Sequence, residues 1–172
     1  MKKRVMLFVS GMLVLGWMIF IFCMSSKNSS DSSETSSGVT AVLQRLFFPQ
    51  WAELGNAEFE ERMSGIHYLI RKAAHFLEFT VLGALLAAFI RQFRLKNGAV
   101  FALSFGAGVL YAFLDELHQS FVPGRSMEAF DVCVDAAGVF FGIMICFAVL
   151  YLLNGRRKKP NEISGKTDPL ES

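Results

Sequence analysis

The sequence predicts an all-α membrane protein with four transmembrane helices and an extracytoplasmic segment, containing interfacial helices, between the first and the second. The composition supports this fold class, because 53% of the 172 residues are hydrophobic and 18 are Phe. Four apolar runs are long enough to cross a bilayer. The basic residues are also distributed unevenly, in a way that separates the two sides of a membrane.

Each apolar run approaches the length of about 20 residues that spans the hydrocarbon core. The runs cover residues 5–24, 73–90, 98–114 and 130–153. A signal peptide is the alternative for the first run, since Lys2, Lys3 and Arg4 precede it. However, this run is longer than the apolar part of a signal peptide, and no small-residue cleavage motif follows it. We therefore expect an uncleaved first helix.

The predicted organisation has four parts. Residues 1–24 form the N-terminus and the first span, and residues 25–70 form an extracytoplasmic Ser-rich loop and an amphipathic segment. Residues 71–153 form a core of three spans, and residues 154–172 form a basic tail that we expect to be disordered. Within the outer segment, helical spacing predicts a helix over 39–48 and another from about Ala57 to Tyr68, with a break at Gly65. We expect these helices to lie on the membrane surface; a disordered loop is the alternative.

Basic residues predict the orientation of the chain. They form three clusters without acidic residues, near the N-terminus, between the second and third runs, and after the fourth run. With four spans, all three clusters lie on one side, which the positive-inside rule assigns to the cytoplasm. Both termini are then cytoplasmic, and the polar ends of the second, third and fourth runs lie together at the outer face.

Polar residues at these outer ends are the candidates for a functional site, because charges within a membrane are costly unless they are paired or hydrated. Helical spacing places several of them on shared faces. The candidates for proton transfer are His75, Glu78, Asp115, Glu116 and His118. The candidates for ligand binding are Arg71, Lys72, Gln119, Arg125, Asp131 and Asp135.

Structural roles are the alternatives for these residues. Glu78 and Asp135 would pair with neighbouring basic side chains, and Lys72 would extend to the interface. Glu116 would point to water from the end of the third span. The three cysteines fit small packing residues better than a disulfide framework, because they are odd in number and occur in no C-x-x-C pair.

Three motifs resemble the VanZ-like family of bacterial membrane proteins. They are R-K-x-x-H-F-x-E-F from Arg71, D-E-x-H-Q-x-F-V-P-G-R from Asp115, and D-x-x-x-D-x-x-G from Asp131. The resemblance covers roughly residues 17–142. Two positions depart from the family pattern: Phe79 stands where Tyr is frequent, and Asp135 stands where Asn is frequent. The second departure adds an acid to the site.

The resemblance implies a protein of the bacterial plasma membrane that acts at the cell envelope. The family's named member is an accessory factor in glycopeptide resistance, associated with teicoplanin, and the resemblance implies no defined reaction. The expected partners are membrane lipids, a lipid-linked cell-wall precursor or an envelope protein. Nucleic acid is not expected, because the basic run after the fourth span is explained by topology and by contact with anionic lipids.

Three hypotheses remain open, and they leave undecided whether the chain is an enzyme. The first is binding or modification of an anionic lipid or lipid-linked precursor at the outer leaflet. The second is a non-enzymatic scaffold or regulator of an envelope complex. The third is a metal-dependent membrane enzyme, with ligands drawn from His75 and Glu78, from Asp115 and His118, and from the two later aspartates. Because there is no H-E-x-x-H motif, the sequence assigns no metal ligand and no cofactor.

Overall fold

Long apolar helices make up the described fold. The computed structural model describes residues 2–26, 56–123 and 128–157, with side chains described for 2–26, 64–123 and 128–153. The helices are α1 (Lys2–Ser25), α2 (Asn56–Ile90), α3 (Asn97–Gln119) and α4 (Ala129–Arg157). Each contains a stretch long and apolar enough to cross a membrane, and these described ranges contain no β-strand. The predicted all-α, four-span architecture is confirmed.

The four helices run antiparallel to their neighbours in sequence. At one end of the bundle, Gln92 donates a hydrogen bond to the hydroxyl of Ser10 (2.6 Å). This is the basic end, where Lys2, Lys3, Arg91 and Arg94 help to line a groove of about 480 Å³. We call the opposite end, where α1 and α3 finish and α4 begins, the polar end.

Glycines allow α2 and α4 to approach each other closely, and these two helices share the most extensive interface in the described structure. A Cβ atom added to Gly138 would lie 3.2 Å from both the Cβ of Phe79 and the backbone nitrogen of Thr80. At Gly142 it would lie 2.8 Å from the backbone nitrogen of Ala84 and would also overlap the carbonyl of Thr80. Small residues at such contacts are typical of helix packing in membranes, where close van der Waals contact drives association.

The first helix lies at the edge of the bundle, and most of its side chains are exposed to the membrane. Hydrogen bonds to neighbouring helices hold it in place, and two of them lie in its second half. The indole of Trp17 donates to the backbone carbonyl of Glu78 (2.9 Å), and the hydroxyl of Tyr111 donates to the carbonyl of Met18 (2.6 Å). Hydrogen bonds of this kind help to fix helix contacts in the low-dielectric membrane.

The structure corrects one expectation for the outer segment. The break expected at Gly65 is wrong, because α2 runs without interruption from Asn56 to Ile90 and joins the helix expected from about Ala57 to the second span. Its 35 residues rise about 52 Å, more than the roughly 30 Å of hydrocarbon, so its first turns extend beyond the core. The interfacial helix expected over 39–48 and the tail after 157 lie outside the described residues.

Candidate functional site

The polar end holds a group of ionisable side chains buried between helices. From Asn97 to Asp115, α3 rises about 27 Å, and from His75 to Ile90, α2 rises about 22 Å. The hydrocarbon core is about 30 Å thick. With Ile90 and Asn97 placed at one surface of this core, His75 and Asp115 would lie inside it, towards the opposite surface. A site at this depth lies close to the level of lipid head groups.

Three helices each contribute one residue to a cluster of ionisable side chains at this end. His75 of α2, Asp115 of α3 and Asp135 of α4 can each offer one nitrogen or oxygen atom, and these atoms lie within 4.8 Å of one another. The Nδ1 atom of His75 is 3.6 Å from Oδ1 of Asp135. Only 3% of Asp115 and 1% of Asp135 are exposed. We call these three residues the buried cluster.

Asp115 is held in place by hydrogen bonds on one side of its carboxylate. The hydroxyl of Ser25, the last residue of α1, donates to Oδ2 at 2.7 Å. The side-chain amide of Gln119, one turn further along α3, donates to the same oxygen at 2.9 Å. As the spacing predicted, Asp115 and Gln119 share a face of the helix. The other carboxylate oxygen, Oδ1, is left for the buried cluster.

Several atoms of the buried cluster have no hydrogen-bond partner among the described residues. They are Nδ1 of His75, Oδ1 of Asp115 and both carboxylate oxygens of Asp135. A buried charge is destabilising unless it is paired or hydrogen-bonded. The sequence left open that Asp135 pairs with Arg71, Lys72 or Arg125. In the structure, the ion-pairing side chain nearest to Asp135 is His75.

Lys72 forms a separate ion-pair group at the start of α4. Its ammonium lies 3.1 Å from a carboxylate oxygen of Glu128 and also pairs with Asp131. It is 4.6 Å from the centre of the Tyr68 ring. Only 8% of Lys72 is exposed, so its ammonium is held between side chains of the polar end. Asp131 and Asp135 therefore have different partners, although helical spacing puts them on one face.

Glu116 joins the end of α3 to the start of α4. Its Oε1 accepts the backbone N–H of Glu128 (3.0 Å), immediately before α4 begins, and only 1% of the residue is exposed. The alternative in which Glu116 points to water is therefore wrong. A carboxylate is stabilised at this position because the first backbone N–H groups of a helix have no partner within the helix.

His118 packs against the end of α1. Its Nε2 lies 3.0 Å from the hydroxyl of Ser26, and its ring stacks on Phe22 with 4.3 Å between ring centroids. The structure thus groups Asp115 with His75 and Asp135, whereas spacing along α3 suggested His118 as its metal-ligand partner.

The remaining candidates lie around this centre. Glu78 is half-buried on α2, where its backbone carbonyl is bonded to α1. Arg71 is half-buried, with its guanidinium 5.8 Å from the centre of the Tyr68 ring. Arg125 lies outside the described residues. The polar end therefore combines acids from three helices with basic groups from α2.

Sequence reasoning missed two kinds of residue at this end. Ser25 was expected to belong to the Ser-rich loop, although it is the last residue of α1. Glu128 lies immediately before α4 and carried no sequence pattern of its own. The hydroxyl of Ser25 donates to the carboxylate of Asp115, and the backbone N–H of Glu128 donates to that of Glu116.

The buried cluster offers one imidazole nitrogen and carboxylate oxygens from two aspartates. Such a set is able to transfer protons or to coordinate a divalent metal ion. In comparisons with known proteins, residues 11–152 match the model of a family described as VanZ/LLP1. No curated protein and no solved structure matches the chain. The matched range contains the buried cluster and the ion pairs of Lys72.

Proposed function

Because the chain belongs to the VanZ/LLP1 family of membrane proteins, we propose that it binds or modifies an anionic lipid or lipid-linked cell-wall precursor. The site of action is the polar end, facing the outer leaflet of the bacterial plasma membrane. The head group of such a lipid lies at the depth of the buried cluster, within reach of side chains from α2, α3 and α4.

The observation that carries this proposal is that the buried polar centre is incomplete. A network that only fixed the register of the helices would be expected to satisfy its own polar atoms. Here the described partners satisfy Oδ2 of Asp115 and Oε1 of Glu116 but leave the facing atoms of the cluster without hydrogen bonds. A ligand that supplies the missing partners would stabilise the site.

The proposal requires basic groups near the head group. Arg71 meets this need on α2, and the sequence places Arg125 just after the turn at Pro123. Arginine binds phosphate with two parallel hydrogen bonds, which suits an anionic head group. Lys72 has a different role in this account, because two carboxylates already neutralise its charge.

The distribution of basic residues supports an outward-facing polar end. Lys2, Lys3, Arg91 and Arg94 meet at the opposite end, as expected for the cytoplasmic side. The family's named member is a teicoplanin-resistance accessory factor, so a contribution to glycopeptide resistance is one consequence that we propose for action on a wall precursor.

A scaffold or regulator of an envelope complex is the alternative, supported by the hydrogen bonds that tie α1, α3 and α4 together at Ser25, Asp115 and Glu116. In that case the polar end would contribute stability alone. Loss of function in variants would then follow loss of protein from the membrane.

Direct lipid binding tests the proposal. The purified chain is mixed with phosphatidylglycerol or phosphatidylcholine, and bound lipid is counted by native mass spectrometry. We expect a preference for the anionic lipid that falls about 10-fold in Arg71→Ala and in Arg125→Ala, because a hydrogen bond to a charged group contributes about 1.5–3 kcal/mol. Gln92→Ala, at the basic end, is the matched control and should keep the preference. Equal binding of both lipids, or an unchanged preference in both arginine variants, would contradict the proposal.

A further inference from the structure

We propose that His75, Asp115 and Asp135 bind one divalent metal ion. Each residue comes from a different helix, and one potential ligand atom from each lies within 4.8 Å of the others. The cluster contains an imidazole as well as two carboxylates, which is the mixed nitrogen and oxygen set that suits Zn²⁺, Mn²⁺ or Fe²⁺.

Burial of the unpartnered atoms is the first argument for an ion. Asp135 is 1% exposed, yet neither of its carboxylate oxygens has a hydrogen-bond partner among the described residues. The same holds for Oδ1 of Asp115 and Nδ1 of His75. These four atoms come from the three residues of the cluster, so a single ion between them would give each residue a partner for one of its atoms.

Charge is the second argument. Asp115 and Asp135 bring two carboxylates together in a membrane interior, where mutual repulsion is weakly screened. A protonated His75 would neutralise at most one of them. The nearby Lys72 is already paired with Glu128 and Asp131. A divalent cation would balance both carboxylates of the cluster.

Geometry is the third argument. With metal–ligand bonds of about 2.1 Å, two ligands of a tetrahedral ion lie about 3.4 Å apart. The separation of 3.6 Å between Nδ1 of His75 and Oδ1 of Asp135 is close to this value and too long for a hydrogen bond. Asp115 offers the third ligand atom, within 4.8 Å of the other two.

Hydrogen bonds outside the cluster orient a ligand in the way that metal sites require. Ser25 and Gln119 both donate to Oδ2 of Asp115, which fixes the carboxylate and leaves Oδ1 as the ligand atom. Partners of this kind typically change metal affinity by about 10- to 100-fold when they are removed. The end of α1 would therefore support the metal site without touching the ion.

Three protein ligands leave at least one coordination position open, as in metal sites that bind substrates. An oxygen of a lipid phosphate fits this position. This link to lipid rests on the proposed function, whereas the ion site itself rests only on the buried cluster. The ion would also explain how a site rich in carboxylates accepts an anionic head group.

Metal content and affinity test the site. The full chain is purified in detergent, stripped with a chelator and titrated with Zn²⁺ or Mn²⁺, with bound metal measured by mass spectrometry and thermal unfolding followed in parallel. We expect one ion per chain and a raised unfolding temperature. Affinity should fall by at least about 100-fold in His75→Ala and Asp135→Asn, and by about 10- to 100-fold in Ser25→Ala.

Glu128→Gln is the control, because it removes a carboxylate of the same end that lies outside the buried cluster. It should bind metal like the wild type. If His75 and Asp135 form only an ion pair, the wild type will hold no stoichiometric ion, and the proposal is overturned. The proposal is also overturned if both Ser25→Ala and Asp135→Asn bind metal as tightly as the wild type. Gel filtration must first show that each variant is folded.

The lipid assay separates this proposal from the previous one. Phosphatidylglycerol binding that depends on Arg71, in a protein that takes up no ion when titrated with Zn²⁺ or Mn²⁺, supports the proposed function and overturns the metal site. A stoichiometric ion that leaves lipid binding unchanged supports the metal site and overturns its link to the head group.

Discussion

Replacement of Gly142 by alanine should weaken the contact between α2 and α4 that positions His75 against Asp135. The added Cβ atom would lie 2.8 Å from the backbone nitrogen of Ala84, whereas ordinary contact begins near 3.4 Å. The helices must therefore separate locally by at least about 0.6 Å. The obstacles are backbone atoms, which cannot rotate away as the end of a side chain can.

The expected cost follows from this geometry. Overpacking typically destabilises a protein by about 1–3 kcal/mol. Gly106→Ala is the matched control, because a Cβ atom there meets nothing within 4 Å in the described structure. Alanine within an unobstructed helix is more stable than glycine by about 0.5–1 kcal/mol. The two variants should therefore differ by roughly 1.5–4 kcal/mol in the free energy of unfolding.

Reversible unfolding in mixed detergent micelles, with helicity as the signal, measures this difference. Purified wild type, Gly142→Ala and Gly106→Ala are compared at equal protein concentration. A Gly142→Ala protein as stable as the Gly106→Ala protein would refute the close approach of α2 and α4 at this position.

Three further predictions concern the ends of the bundle. Trp17→Phe should lower the free energy of unfolding by about 0.5–1.5 kcal/mol, because it removes the hydrogen bond to the carbonyl of Glu78. Lys72→Gln should cost about 1–3 kcal/mol, since it leaves the largely buried Asp131 without its cation, whereas Glu128, with 40% of its side chain exposed, remains hydrated. In a chain without its native cysteines, a cysteine at Ser30 should react with an impermeant thiol reagent in intact cells, whereas one at Lys96 should react only after permeabilisation.

Each of these predictions has an outcome that contradicts it. Wild-type stability of Trp17→Phe would show that the hydrogen bond from its indole contributes nothing to the attachment of α1. If Lys72→Gln is as stable as the wild type, the ion pairs with Glu128 and Asp131 contribute nothing to the free energy of unfolding. Labelling of Lys96→Cys in intact cells would reverse the proposed orientation.

The four spans could be predicted from hydropathy, because a bilayer requires each helix that crosses it to be apolar and to have a minimum length. Both properties can be read directly from the sequence. The two ends were also predictable, since successive antiparallel spans bring alternate loops to the same side and an even number of spans brings the two termini together. Thus Arg91 and Arg94 were placed with the N-terminal lysines, and groups from α2, α3 and α4 were placed together at the other end. These inferences need only the order of residues along each helix.

Contacts between helices were not predictable in the same way. Sequence spacing pairs residues along one helix, so it joined His75 to Glu78 and Asp115 to His118. The structure instead joins His75, Asp115 and Asp135 across three helices. The rotation of each helix about its axis decides such contacts, and it depends on packing at positions such as Gly138 that no periodicity in a single sequence specifies. For the same reason, Glu116 was not expected to bond the start of α4.

Glycopeptide susceptibility tests the central claim, that the polar end is the working site of the protein. A glycopeptide-sensitive bacterial host expresses wild type, Asp115→Asn or Gly106→Ala at matched membrane abundance, and teicoplanin and vancomycin sensitivity are measured. The account predicts teicoplanin-selective protection by wild type and Gly106→Ala that is lost in Asp115→Asn. Equal protection by all three proteins, or none by the wild type, would contradict it.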